Sequence, residues 1–225
     1  MKRKNLITVA IDSPAAAGAG TQAKMIAKHY NLFHLDTGKL YRYIGLLKLE
    51  NPKKFSLNFI KKKIKKLKFK KLSTKKLLSD EVAVSASLIS KIHYVRKAIL
   101  SFQRKSAYSP PKKFDGSVLD GRDITHRVVP DAFIKLYITA RVNQRAKRRF
   151  KELKKLEKRV NYQEILKSIK NRDKSDRMRP LKLGKLIKTK DSILINTTNL
   201  TKKACFLKIK KIIDKKLNKW KYIKT

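Results

Sequence analysis

ITVAIDSPAAAGAGTQAKMIAK, residues 7–28, decides how this chain folds. Ile7, Val9 and Ile11 alternate with smaller residues, as a short strand feeding a core does. A turn of small residues runs from Asp12 to Gly20, and Thr21 opens a helix carrying Ala23, Met25, Ile26 and Ala27. Strand, glycine-bearing turn and helix N-terminus form a phosphate site, because backbone N–H groups converge there and the helix dipole favours an anion. The motif departs from G-x-x-x-x-G-K-[ST]. Ser13 holds the first glycine position and Gly18 the second, Ala19 stands where the lysine belongs, and Gly20 precedes Thr21. The stretch alone leaves two readings open. One is a phosphate cradle made by Ser13, Pro14, Ala15, Ala16, Ala17, Gly18, Ala19, Gly20 and Thr21. The other is a strand–helix crossover in which small residues only permit close packing.

The next segment repeats the strand-then-helix rhythm. Leu32–Leu35 reads as a strand, Asp36-Thr37-Gly38 as a turn, and a helix starts near Lys39 with Asp36 or Thr37 as its cap. Tyr41 and Arg42 then lie in a first helical turn just past a strand end, where ligands of open α/β sheets collect. An arginine fork there suits a phosphate. Residues 51–79 are lysine-rich, with helical patterning at Phe59–Leu67 and strand-like alternation at Leu67–Leu72, and 80–105 reads as helix. Val118-Leu119 is a strand ending in Asp120-Gly121-Arg122-Asp123, and 134–140 is another. Cationic helix is expected at 145–158, then a second helix ending at Pro180 whose tail carries Arg172, Asp173, Asp176, Arg177 and Arg179. Such crowded arginines either await an anion or belong to a solvated charged helix in which Asp173 and Asp176 compensate them. A last strand at 192–198 and a last helix at 201–217 follow.

Sixty Lys and Arg against 16 Asp and Glu give a net charge of +44. A charge of that size favours nucleic acid as a partner. The lysines, however, are spread along the chain on the polar faces of amphipathic helices, as in 61–71 and 210–224. No specific nucleic-acid partner is expected, only weak RNA binding at low salt. No apolar run approaches the roughly 18 residues of a membrane span. A single cysteine, Cys205, rules out an intrachain disulfide, fits a reducing cytoplasm and reads as a small core residue. Repulsion between copies favours a monomer.

Seven ordered motifs together resemble the bacterial cytidylate kinase family from about residue 6 to 217. They are VAIDSPAAAGAGT (9–21), LDTGKLYR (35–42), DEVAVSAS (80–87), LDGRDIT (119–125), RAKRRFKEL (145–153), IKNRDKSDRMR (169–179) and SILINTT (192–198). The resemblance implies an α/β fold of the P-loop NTPase type, a five-stranded parallel sheet flanked by helices. Its core would be 5–40, 115–142 and 190–217, with a monophosphate-binding insert at about 40–105 and a short helical lid at about 145–180. It implies transfer of the γ-phosphate of ATP to CMP or dCMP with Mg2+. By resemblance the 13–21 loop holds ATP. Thr37, Tyr41, Arg42, Ser87, Arg96, Asp120, Arg122, Asp123, Asp176 and Arg179 form the CMP site. Within it Ser87, Arg96 and Asp123 read the base, and Asp176 holds the ribose. Arg122, Arg179 and Arg172 would be catalytic, and Thr21 the magnesium ligand.

Phosphoryl transfer fits this inventory, since it needs positioning and positive charge rather than covalent help. Ala19 is the departure, because losing one preorganised donor costs about 10²–10³ in rate. Either another cation, Lys39 or a lid arginine, serves the phosphates, or the protein binds CMP with little turnover. A basic RNA-binding protein on a kinase scaffold is the further alternative.

Overall fold

A computed structural model describes residues 6–155 and 159–222 of the chain. Five parallel strands form one sheet: β1 (Ile7–Asp12), β2 (Leu32–Asp36), β3 (Gly116–Gly121), β4 (Ile134–Thr139) and β5 (Ile193–Asn196), in the order β2-β3-β1-β4-β5. All four pairings are parallel, so every connection is a crossover. β1 lies in the middle and is covered on both faces, which is why it reads as a nearly continuous buried run. The register sets Ile11 opposite Asp120 and Asp12 opposite Gly121, and sets Asp36 opposite Asp120. Three aspartates thus end up at one edge of the sheet.

Helices α1 (Ala19–His29) and α8 (Lys202–Tyr222) cover one face, where Val9, Ile11, Leu136 and Ile195 pack with Ala23, Ile26, Ile209 and Ile213. Cys205 is buried among them, as expected of a core residue. The other face carries α2 (Thr37–Glu50), α3 (Leu57–Lys65), α4 (Asp80–Ile89) and α5 (His93–Tyr108) over Ala10, Phe33, Leu35 and Leu119. Gly45 lets α2 and α4 touch: a Cβ there would stand 2.8 Å from the Ala86 nitrogen. Two further helices, α6 (Val142–Lys154) and α7 (Tyr162–Met178), form a small cluster of their own around Ala146, Ile165 and Ile169.

Three local expectations change. The alternation at Leu67–Leu72 is not a strand but a tight helical turn at Phe69–Ser73, with Leu67 and Leu72 both buried. The stretch 80–105 is two helices, not one. The Ser90 hydroxyl donates to the Ser87 carbonyl, and Ile92 turns extended before α5 begins, so the side chain competes with the helix ladder. The cationic helix starts at Val142 and runs to Lys154, while the rest of its expected span, residues 156–158, lies outside the described residues. Among the described residues no helix is long and apolar enough to cross a membrane.

Candidate active site

The loop after β1 is shaped by two left-handed residues, Gly18 at φ 92° and Ala16 at φ 58°. A non-glycine residue in that region is strained by roughly 1–3 kcal/mol unless its surroundings hold it. Ala16 is held: its methyl group packs against the α6–α7 cluster. Gly18 ends the loop, and α1 begins at Ala19, two residues earlier than the sequence pattern indicates. Lacking a side-chain cap, the first turn of α1 points its N–H groups into the loop.

Asp12 anchors the loop from beneath. Fully buried, its carboxylate accepts from the Ile124 N–H at 2.7 Å, the Thr125 N–H at 3.0 Å and the Thr125 hydroxyl at 2.5 Å. The Ser13 N–H donates to the Gly121 carbonyl at 3.0 Å. These bonds lock the turn after β3 against the phosphate loop. Burial outweighs the hydrogen bonds and pushes the Asp12 carboxyl from 3.8 up to about 6. A raised folded pKa means stability present below about pH 4 and lost as pH climbs through 6. The 2-unit window corresponds to about 3 kcal/mol. Urea midpoints of the protein and of Asp12→Asn, compared from pH 4 to 7, should therefore diverge with pH by about that much. A constant difference would mean that Asp12 titrates as an ordinary carboxylate.

At the ends of β2 and β3 two more carboxylates meet. Asp36 caps α2 by accepting from the Lys39 N–H at 3.0 Å. His34 Nε2 lies 2.7 Å from Asp120 Oδ1, and the Thr37 hydroxyl donates to the Asp120 carbonyl at 2.7 Å. Asp120 Oδ2 sits 3.5 Å from where a Cβ on Gly20 would be, so this carboxylate faces the first turn of α1. Burial, then the neighbouring Asp120 charge, pushes the Asp36 carboxyl up.

Beyond them the arginines gather. Asp176 on α7, 2% exposed, accepts from Arg122 Nε at 2.7 Å and from Arg179 Nη2 at 3.1 Å. Arg172 projects to the same place. Although its surface is open to solvent, the protein around it, then Arg122, press its guanidinium pKa down to about 10, with Asp176 opposing and Arg42 and Arg179 adding to the push. Arg42, Arg122, Arg172 and Arg179 thus lie within electrostatic reach of one another. Arg42 is steadied there by donating to the Leu77 carbonyl at 2.7 Å and the Ser79 carbonyl at 3.3 Å.

A third constellation lies beside these arginines. Arg96 and Asp123 form an ion pair at 2% and 4% exposure. Arg96 also donates to the Ser90 carbonyl at 3.2 Å and stands 5.4 Å from the Tyr41 ring centre. Burial pushes the Tyr41 hydroxyl up to about 12. Gly184, at φ 77°, crosses over the pair, and any Cβ there would overlap the Arg96 guanidinium and the Asp123 carboxylate. Ser87 sits on α4, half-buried, with its carbonyl taken by Ser90.

The three constellations together contain Thr37, Tyr41, Arg42, Arg96, Asp120, Arg122, Asp123, Arg172, Asp176 and Arg179, all expected from the sequence. Thr21 is exposed on the first turn of α1. Asp12, His34, Gly184, Thr197 after β5 and two arginines of the lid were missed. Of the lid residues, Arg145 pairs with Asp173 through Nη1 at 3.1 Å and Nη2 at 2.5 Å, and donates to the Ala15 carbonyl at 3.1 Å. Arg148 and Thr197 reach the Ala17 carbonyl. In sequence, both arginines look like part of a solvated cationic helix. A recurring Arg at positions 145 and 148 on one helical face, i and i+3, was the only available signal.

Comparison with known proteins follows the same lines. The sequence model of the family described as "Cytidylate kinase" matches residues 9–215. A protein of Bartonella henselae named "Cytidylate kinase" is 41% identical over 209 residues, covering 92% of this chain and 94% of its own. A Bartonella bacilliformis protein of the same name is 39% identical, covering 93% and 95%. One from Caldicellulosiruptor saccharolyticus is 36% identical, covering 93% and 96%. Among solved structures, an uncharacterized protein from Eubacterium ventriosum superposes with a TM-score of 0.52 at 18% identity, over 92% of this chain and 98% of its own. That likeness speaks for the fold alone.

Proposed function

The chain belongs to the cytidylate kinase family, and from that premise we propose how its own residues perform the reaction. It is a phosphotransferase: it moves the γ-phosphoryl group of ATP to CMP or dCMP. ATP lies with its phosphates on the 13–21 loop, against the unsatisfied N–H groups and positive dipole end of α1. The monophosphate lies among Arg42, Arg122, Arg172 and Arg179, and the base lies against Arg96, Asp123 and the Ser87 region. Thr37 and Tyr41 wall the pocket between them.

The observation that carries this reading is the meeting of Arg122 and Arg179 on Asp176, with Arg42 and Arg172 beside them. Asp176 holds the Arg122 and Arg179 guanidinium groups as fixed forks that an incoming phosphate can meet. Asp176 keeps Arg122 and Arg179 aimed, and its remaining lone pairs suit a ribose hydroxyl. Arg122, Arg172 and Arg179 then stabilise charge on the transferring group, where electrostatic preorganisation matters most. The 40–105 insert and the 145–180 lid would close on the two nucleotides from opposite sides of the sheet edge.

Magnesium fits the edge between the two nucleotides. Asp36 and Asp120 present hard oxygen donors; burial, and then the Asp120 charge, raises the Asp36 carboxyl, and a divalent cation would offset both. No cluster of three or more His, Cys, Asp or Glu residues able to hold a metal occurs among the described residues. Such a sparse protein contribution suits an ion that keeps its waters and phosphate ligands. When bound, the ion neutralises charge building on the phosphoryl oxygens.

The test is ADP release by the purified protein with ATP, magnesium and each nucleoside monophosphate. CMP and dCMP should turn over. UMP, which lacks the amine that a carboxylate accepts from, should be worse by about 10- to 100-fold, the effect of leaving a buried polar group unpaired. Release no faster than in buffer for every acceptor would overturn the reading.

A further inference from the structure

The phosphate loop lacks its lysine, yet two arginines stand directly behind it. Arg145 Nη1 donates to the Ala15 carbonyl at 3.1 Å. The Thr197 hydroxyl donates to the Ala17 carbonyl at 3.0 Å and itself accepts from Arg148 Nη1 at 2.8 Å. Arg148 Nη1 also lies 3.5 Å from the Ala17 carbonyl, and Nη2 donates to the Thr197 carbonyl at 2.5 Å.

Peptide geometry gives these contacts a consequence. A trans peptide carries its N–H opposite its C=O. The Ala15 carbonyl therefore belongs to the peptide that bears the Ala16 N–H, and the Ala17 carbonyl to the one that bears the Gly18 N–H. A cation behind a carbonyl polarises the whole unit, and hydrogen bonds in a chain strengthen one another at low dielectric. Arg145 is offset by Asp173. Arg148 is different: among the described residues its three bonds go to neutral oxygens, two on Thr197 and one on the loop, so it acts on the loop mainly through Thr197. Thr197 is buried, 4% exposed, which shields the relay from water.

We propose that Arg148, acting through Thr197, is a positioning residue that charges the loop from behind and takes over part of the electrostatic work of the absent lysine. Arg145 does the same at the Ala15 peptide while tying the loop to the lid. Both arginines sit on α6, so the loop is polarised when α6 packs on it, and lid and ATP affinity are linked. The inference rests on ATP binding at the 13–21 loop, as in the proposed function.

The experiment replaces the relay without changing its shape. Thr197→Val removes the hydroxyl, and Thr197→Ser restores it. Thr197→Val should lower ADP affinity and kcat/KM for ATP by about 10- to 100-fold, the usual effect of a supporting group one layer behind the binding atoms. CMP affinity should not change, and Thr197→Ser should return ATP parameters close to those of the parent. Arg148→Ala should show the same split, with added guanidinium recovering activity. The inference is overturned if Thr197→Val leaves ADP binding intact, or if valine and serine impair it equally. ADP binding is read by titration without turnover. An inactive parent that still binds ADP through Thr197 would refute the kinase reading and spare this one.

Discussion

Replacing Arg122 with alanine is expected to lower kcat by about 10²–10³ while the protein stays folded, the loss seen when one preorganised donor is taken from a transferring group. Arg122 leaves the turn after β3, donates to Asp176 through Nε at 2.7 Å, and keeps 22% of its side chain exposed. Its removal does not strand Asp176, which still accepts from Arg179 at 3.1 Å. The stability cost should therefore be on the order of 1 kcal/mol, that of one hydrogen bond. Lysine should recover charge but not the fork, so Arg122→Lys should fall between alanine and the parent. Steady-state rates at saturating ATP and CMP, with melting temperatures as the control, decide it. An unchanged kcat in Arg122→Ala would remove this residue from the reaction.

Asp123→Asn should act on stability and selectivity at once. The carboxylate is buried, paired with Arg96 and 3.4 Å from Arg127 Nη1. Taking away its charge strands the Arg96 guanidinium at 2% exposure. Breaking one side of a buried pair costs about 3–5 kcal/mol, a large part of the roughly 5–15 kcal/mol that holds a domain together. A fall in melting temperature of about 10 °C follows. Replacing both partners, as Arg96→Met with Asp123→Asn, removes the stranded Arg96 charge, leaves only the part-exposed Arg127 without this carboxylate, and should recover most of that loss. It should not recover discrimination of CMP from UMP, because the groups assigned to the base are gone. If the double variant melts as low as the single one, the stranded charge is not the cause. If it still prefers CMP, the base is read elsewhere.

Much of the fold was legible because it is local. β1 alternates, the loop residues are small, and Asp36 stands where a cap is needed and does cap, bonding the Lys39 N–H. Apolar residues at Leu32–Leu35 and 134–140 became strands for the same reason. The errors were local too. Leu67 and Leu72 stand among lysines around a tight turn at Phe69–Ser73: both are buried but five residues apart, with Phe69 exposed between them, a spacing that alternation of period two does not give. Ser90 and Ile92 break a pattern that looked continuous, because a serine hydroxyl outbid the helix ladder for the Ser87 carbonyl.

By itself the sequence determined the residue types at the strand ends: the aspartates, the DGRD turn, the arginine-rich tail of α7, and the alanine where a lysine belongs. Only the tertiary structure decided what they touch. Arg148 reaches the loop across 131 residues of chain, Arg145 finds Asp173 and the Ala15 carbonyl together, and Asp12 holds a turn 112 residues away. The physical reason is that period and propensity act over one or two turns of chain. The partner of a long charged side chain is chosen by burial and by the sheet order β2-β3-β1-β4-β5, which no run of neighbouring letters encodes.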